Sequence, residues 1–531
     1  MKKLYYIFAL AAVTLAASSC ADSYLNREPG GSSITEAQYQ RMDNVTEGTV
    51  KGVYTLLYEY GGEHDAFAQR SFDMYGDLLS GDMALKTQNY GWFSTDELGQ
   101  TYTRRSTFWN YYYGIIRICN KALNAIDAQY TEEEIQEALV NYSDATEEMM
   151  TMLMYTAEIY TMRGWAYAGL SRYFVSPTAG MNDLAVPIYT EQDTKADTIL
   201  GAPRASVGDL YLRIEEDFMQ AIQIFEVTDL LGIERTNKIE TNADIARISL
   251  AYSYLNKGDN ANAYKWATEA INKTTATLLP NEEVLTTGFN DISSNNWIWG
   301  KDVTVDNTTS LASFFGQCDI YSYSYAGAGD VKGIDKNLYD QIQAWDIRKF
   351  WWNNYATSGQ KNASTYEYAP DGKFYSAKLP QKLNGDRDWL SDDVYMRLEL
   401  AYLIAAEAAA RLGDYTNAKN YLFAITDQRV LPTQESVYED WKNNLSDGDL
   451  LATIKHNWRV ELWGEGYALQ TFRRYQEKVT LGDNHLRSDK KLDPSTARVY
   501  TFEIPTSEEY YNPYLRDVKN LHYKTHKPNK E

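Results

Sequence analysis

Leu250-Ala-Tyr-Ser-Tyr-Leu-Asn-Lys-Gly-Asp-Asn-Ala-Asn-Ala-Tyr-Lys-Trp-Ala-Thr-Glu-Ala-Ile271 and Ala405-Ala-Glu-Ala-Ala-Ala-Arg-Leu-Gly-Asp-Tyr-Thr-Asn-Ala-Lys-Asn-Tyr-Leu-Phe-Ala-Ile425 are two copies of one pattern. Each is a pair of helical segments joined across a Gly-Asp dipeptide, Gly258-Asp259 in one and Gly413-Asp414 in the other. An alanine follows five residues after the glycine (Ala263, Ala418) and an aromatic eight after it (Trp266, Tyr421). Gly-Asp supplies the tight turn, and the small residues let the paired helices approach closely.

Around these copies the helical period continues. Ile115-Ile116, Cys119, Ala122-Leu123 and Ile126 recur at three and four, as one apolar face requires. Thr131 to Glu134 has capping-box spacing ahead of Ile135. Met152, Tyr155, Ile159, Met162 and Ala166 carry another helix to Phe174, where Ser176-Pro177 stops it. Pro203-Arg204-Ala205-Ser206 opens a further helix through Leu210, Ile214, Phe218 and Phe225. The spacing of the two copies is tetratricopeptide-like, and two copies in 531 residues predict a helical scaffold instead of a regular solenoid. The fold class is mainly α.

The texture changes between residues 280 and 393, where Gly, Asn, Ser and Asp interrupt short apolar pieces and aromatics crowd in. This part is expected to be a lobe of long loops and short strands mounted on the frame. Residues 20–279 form the N-terminal part of the scaffold and 394–531 complete it. A second irregular stretch runs from Asp82 to Thr107 around Tyr90-Gly91-Trp92-Phe93. Long irregular insertions in a compact protein are commonly functional.

Residues 1–19 stand apart. Lys2-Lys3, the apolar run Leu4 to Ala17 and Ser18-Ser19-Cys20 have the layout of a secretory leader, too short for a membrane span. The Ala17-Ser18-Ser19-Cys20 ending is similar to a bacterial lipobox, with Cys20 as the acylated first residue of the mature chain. The other cysteines, Cys119 and Cys318, are read as two buried thiols or one long-range disulfide. A formal charge of −22, with no basic cluster longer than a pair, argues against a nucleic-acid partner.

The usual catalytic motifs are not found. None of the five histidines (His64, His456, His485, His522, His526) sits in a His-Glu-x-x-His arrangement, and no Gly-x-Ser-x-Gly elbow or phosphate-cradling loop occurs. No catalytic residue, metal or cofactor is assigned. Glu158, Glu407 and Glu461 sit among apolar helical positions and read as structural carboxylates paired with Arg, although carboxylate content alone leaves a glycosidase pair open.

Several segments together resemble the SusD/RagB family of outer-membrane lipoproteins of the starch-utilisation type. They are Asp22-Ser-Tyr-Leu25 with Pro29; Ala157-Glu158-Ile-Tyr-Thr-Met-Arg163; Ala185-Val186-Pro187-Ile188; Pro203-Arg204-Ala205-Ser206; Arg397-Leu398-Glu399 with Tyr402-Leu403 and Ala406-Glu407-Ala408; Arg459-Val-Glu461-Leu462 with Glu465-Gly466; and Ile504-Pro505, Glu508 and Asn512-Pro513. The resemblance implies about four irregular tetratricopeptide-type helix pairs with a loop-rich, partly β ligand-binding lobe. It implies capture of an oligosaccharide at the outer surface of the outer membrane. The captured ligand would pass to a SusC-like TonB-dependent transporter, the chain itself being held by lipid on Cys20. A peptide-binding member of the family is the alternative, and a lipoprotein glycosidase a more distant one.

A sugar ring offers an apolar C–H face and a rim of hydroxyls, so capture needs flat aromatics with amides and carboxylates beside them. Position and composition select Trp92 and Phe93 from the first loop and Tyr321, Tyr323 and Tyr325 from the second. The three tyrosines alternate with serines, which puts them on one face of an extended segment. Asn296 and Asp319 would supply hydrogen bonds. Trp297, Trp299, Trp165, Trp266, Trp458 and Trp463 are expected in the core.

Overall fold

The computed structural model describes residues 45–59, 61–85, 89–93, 104–194, 201–285, 289–318, 324–326, 328–330, 332–352, 389–476, 478–486, 491–492 and 501–516. Among them helices dominate. The array starts with α1 (Val45–Glu59), α2 (Ala68–Ser80), α3 (Arg105–Asp127), α4 (Glu132–Val140), α5 (Glu147–Phe174) and α6 (Val207–Leu230). It continues through the hairpins α7 (Ala243–Lys257)–α8 (Asn260–Lys273) and α9 (Leu398–Arg411)–α10 (Tyr415–Thr426), then α11 (Asp447–Glu461) and α12 (Ala468–Tyr475). Helices pack in succession: α3 on α5, α5 on α6, α6 on α7, α8 on α9.

Local chemistry explains the boundaries. Thr131 and Glu134 form a reciprocal capping box at the start of α4. Thr146 caps α5, which ends before Ser176-Pro177 because proline cannot extend a helix. Ser206 caps α6 through Asp209 and also closes a short strand, Arg204–Ser206, paired with Leu184–Pro187. In both hairpins the glycine lies in the left-handed region, φ 90° at Gly258 and 82° at Gly413. The following aspartates cap α8 and α10 by accepting from Asn262 N at 3.1 Å and Asn417 N at 3.2 Å. Ala263 and Ala418 are fully buried, which is the close approach their size allows.

The core is continuous through the array and includes Trp297, Trp299, Trp458 and Trp463. Trp165 and Trp266, expected inside, lie half-buried on its edge. Trp266 lies under the Lys265 ammonium, 4.8 Å from its ring centroid. The three helix carboxylates are tied to arginines. Glu461 accepts from Arg429, Arg397 and Arg348 at 2.9–3.0 Å, Glu407 from Arg474 at 2.9 Å, and Glu158 from Arg235 at 2.7 Å. Cys119 and Cys318 are separate buried thiols.

Within 280–393 the described part carries short elements, as its composition predicts. Trp297–Lys301 pairs antiparallel with Asp393–Arg397, which runs directly into α9. Met83–Leu85 (β1) pairs with Lys332–Ile334 (β2), Leu85 opposite Lys332, and so ties the irregular stretch after Asp82 to the lobe. Phe314–Cys318 forms a short buried helix beside β2. No helix among the described residues is long and apolar enough to cross a membrane.

Candidate functional site

The join between β1 and β2 brings three loops together. The first is the turn Gly61–Phe67, where Glu63 and Ala66 exchange backbone hydrogen bonds of 3.0 Å. Arg104 fixes its carboxylates by pairing with Asp65 at 2.8 Å and with Glu63. His64 lies at the tip. The second loop is Asn89–Phe93, whose first two amides, Asn89 N and Tyr90 N, donate to the Asp330 carboxylate, the latter at 3.0 Å. The third holds Tyr325, whose N–H donates to Gly316 O and whose carbonyl accepts from Asp330 N, both at 2.9 Å.

Four rings meet where these loops converge. His64 lies 5.3 Å from Trp92 and 5.2 Å from Tyr325, and Tyr325 lies 5.2 Å from Tyr90 at an interplanar angle of 72°. Edge-to-face contacts of this kind fix ring orientation. Tyr90 is 53% exposed and the other three are half-buried, so the cluster presents ring surface to solvent on a fixed base. Gly91 takes φ +79°, with open space where a Cβ would stand. Phe93 follows at φ +57°.

The expected site residues divide. Trp92 and Tyr325 are brought together across His64. Phe93 is corrected: it points inward with no exposure and packs 4.6 Å from Tyr75 and 5.9 Å from Phe67. Gly91 and Phe93, both at positive φ, flank Trp92, which stays half-buried while Phe93 enters the core. Asn296 is corrected too, being fully buried with its amide donating to Glu399 at 3.2 and 3.3 Å below the start of α9. Tyr321, Tyr323, Asp319 and Cys20 lie outside the described residues.

Sequence reasoning passed over His64 and Tyr90. The signal for Tyr90 was its place in the same aromatic run as Trp92. For His64 it was the Gly61-Gly62 pair, which marks a turn able to present a side chain.

Carboxylates near the rings are engaged. Asp330 takes two backbone amides, and Asp65 and Glu63 face Arg104. A glycosidase needs two carboxyl groups facing each other across an open cleft. The carboxylates here instead hold loops. Among the described residues no group of three or more His, Cys, Asp or Glu has the arrangement of a metal site.

Comparison with known proteins agrees with this architecture. Residues 24–250 match a family model described as starch-binding and associating with the outer membrane, and residues 253–529 match the model of the SusD family. A SusD-like protein of Bacteroides ovatus is 26% identical over 166 residues, a match spanning 31% of this chain and 28% of that protein. A SusD-like carbohydrate-binding protein of Bacteroides vulgatus superposes with a TM-score of 0.67 at 22% identity, over 89% of this chain and 97% of that one. Surface glycan-binding protein A of Bacteroides thetaiotaomicron, solved with laminarihexaose, superposes with a TM-score of 0.54 at 14% identity, over 82% and 90%.

Proposed function

Since the chain belongs to the SusD family, we propose that it captures oligosaccharides on the four-ring cluster at the outer face of the outer membrane and passes them to a TonB-dependent transporter. The observation that carries this reading is the cluster itself. Partly exposed rings from three separately anchored loops meet there. The ligand lies between the turn at His64 and the lobe that supplies Tyr325. Acylated Cys20 holds the protein at the membrane.

The energetics suit delivery. Three ring contacts of about 0.5–1.5 kcal/mol each, with a few hydrogen bonds, reach roughly 4–8 kcal/mol, which is millimolar to micromolar affinity. A protein that must release its ligand to a transporter works in that range. A binder needs no leaving-group chemistry, so the chain acts without turnover.

The test is calorimetry of the soluble form starting at Ala21, against oligosaccharides of varied linkage, laminarihexaose among them, with mixed peptides in parallel. One glycan class gives saturable heat. Tyr90→Ala and Trp92→Ala each weaken it by about two- to twelve-fold, the equivalent of one ring contact. Heat from peptides alone replaces the ligand class by peptides, and no heat from either removes the capture reading.

A further inference from the structure

We propose that Lys332 is a positioning residue for the aromatic cluster: its buried ammonium fixes Gln317 and the Asp330 backbone, and through them the loops carrying His64, Tyr90 and Trp92. The inference rests on the capture reading and adds to it a residue that touches no ligand.

Lys332 is fully buried in β2, its Nζ 5.6 Å from the Phe93 ring centroid. It donates to Gln317 Oε1 at 2.8 Å and, more weakly, to Asp330 O at 3.4 Å. Among the described residues no carboxylate pairs with it. A buried cation without an anionic partner costs stability, and a methionine of similar length would fill the same space without that cost. Packing therefore does not account for the charge.

The hydrogen-bond directions do. An ammonium only donates, so it fixes the carbonyl end of the Gln317 amide toward itself and leaves the NH2 end facing the other way. That end donates to His64 O at 2.7 Å and holds the tip of the first loop. Asp330 is the second branch: its carboxylate takes Asn89 N and Tyr90 N, and its N–H holds the Tyr325 carbonyl. Two residues beneath the site thus hold the backbone of every loop that supplies a ring, and Lys332 touches both.

Burial pushes the Lys332 ammonium down to about 8, against the opposing pull of Cys318 and Asp330. On the other elements packed here, His64 meets Gln317 only through its carbonyl, Glu63 and Asp65 are held by Arg104, and β1 carries no titratable side chain. A neutral amine can accept as well as donate, so its loss of a proton frees the Gln317 amide to turn.

The experiment is hydrogen exchange of the full mature chain, corrected for intrinsic rate, on the native protein and Lys332→Met. In Lys332→Met the amides of 61–66 and 89–93 exchange about tenfold faster while the urea midpoint stays level or rises, because local opening is separable from global unfolding. The native protein shows the same loosening between about pH 7 and pH 9, and the variant shows no further change. Glycan affinity, where calorimetry finds a ligand, falls about tenfold in the variant and loses that pH dependence. Unchanged exchange in both loops overturns the proposal, as does a fall in midpoint with exchange raised throughout. If the variant does not fold, the native pH series decides. Exchange needs no ligand, so a native protein that binds neither sugar nor peptide would end the capture reading and leave this result standing.

Discussion

Gly91 and Phe93 show how one loop serves two surfaces. With φ +79° at Gly91 and +57° at Phe93, the loop leaves Trp92 half-buried and puts Phe93 in the core. A non-glycine residue in the left-handed region costs about 1–2 kcal/mol, and Phe93 offsets this by burying its whole ring between Phe67 and Tyr75. Phe93→Ala is expected to destabilise by about 3–5 kcal/mol, since it leaves a ring-sized cavity in a packed core. The check is the urea midpoint followed by tryptophan fluorescence. The same variant weakens glycan binding although Phe93 meets no ligand, because the strand of loop bearing Trp92 loses its anchor. A midpoint unchanged by Phe93→Ala would mean that the ring's burial contributes nothing. Tyr90→Ala has the opposite signature, losing affinity at constant stability, and the pair separates contact from support.

At the scale of the element, the two Gly-Asp hairpins are the clearest case of sequence dictating structure. Glycine ends α7 and α9 in a conformation other residues adopt at a cost, and aspartate starts α8 and α10 by capping their third amide. Nothing stands within 4 Å of a Cβ built on Gly258 or Gly413, so substitution there reports backbone strain alone. Gly413→Ala should lower stability by about 1 kcal/mol through that strain. Asp414→Ala should cost about 1 kcal/mol through the lost cap, which Asp414→Asn would largely retain. Equal midpoints for Asp414→Ala and Asp414→Asn would show that the cap hydrogen bond is idle. These elements were legible because their determinants are local: the capping box at Thr131 and the stop at Ser176-Pro177 follow from spacing along the chain. The site was legible only in part. Trp92 and Tyr325 are distant in sequence and meet through the β1–β2 pairing, which two three-residue strands do not announce. Phe93 and Asn296 are chosen as ligand-binding by position and composition, which cannot tell which side of an irregular loop faces the core. That is decided by φ at single residues and by a buried glutamate more than one hundred positions away.

For the whole molecule, the buried charges set how stability follows pH, and they divide by which influence wins. At Glu461 burial works against ionisation, but Arg429, Arg397 and Arg348 outweigh it and hold the carboxyl well below its usual range. Its contribution is therefore present above about pH 4.5 and is lost as the pH falls toward the folded value. At Asp73 and Glu158 burial wins over Arg70, Arg172 and Arg235, and the carboxyls rise to about 6 and about 7. Between roughly pH 4 and those values the folded chain holds protons that the unfolded chain has released, so stability declines as the pH rises through this window. At about 1.4 kcal/mol per pKa unit, the decline is on the order of 3 kcal/mol for each group. Lys332 acts oppositely at higher pH. Above about 8 the unfolded chain holds the extra proton, and stability recovers as the buried ammonium discharges. Asp73 and Glu158 thus lower the urea midpoint between pH 5 and 7.5 and Lys332 raises it toward pH 10, while His456, held down to about 3 by burial and by Arg348, contributes a rise between about pH 3 and 6.5. Glu158→Gln removes part of the decline between pH 5 and 7.5, and Lys332→Met removes the climb. A Glu158→Gln profile parallel to the native one from pH 5 to 7.5 would mean that Arg235, and not burial, governs Glu158. Around pH 8 to 9, then, the fold gains stability while the Lys332 charge that holds the binding loops is lost. Binding and stability therefore change in opposite directions there, a divergence that distinguishes a charge retained for the site from one retained for the fold.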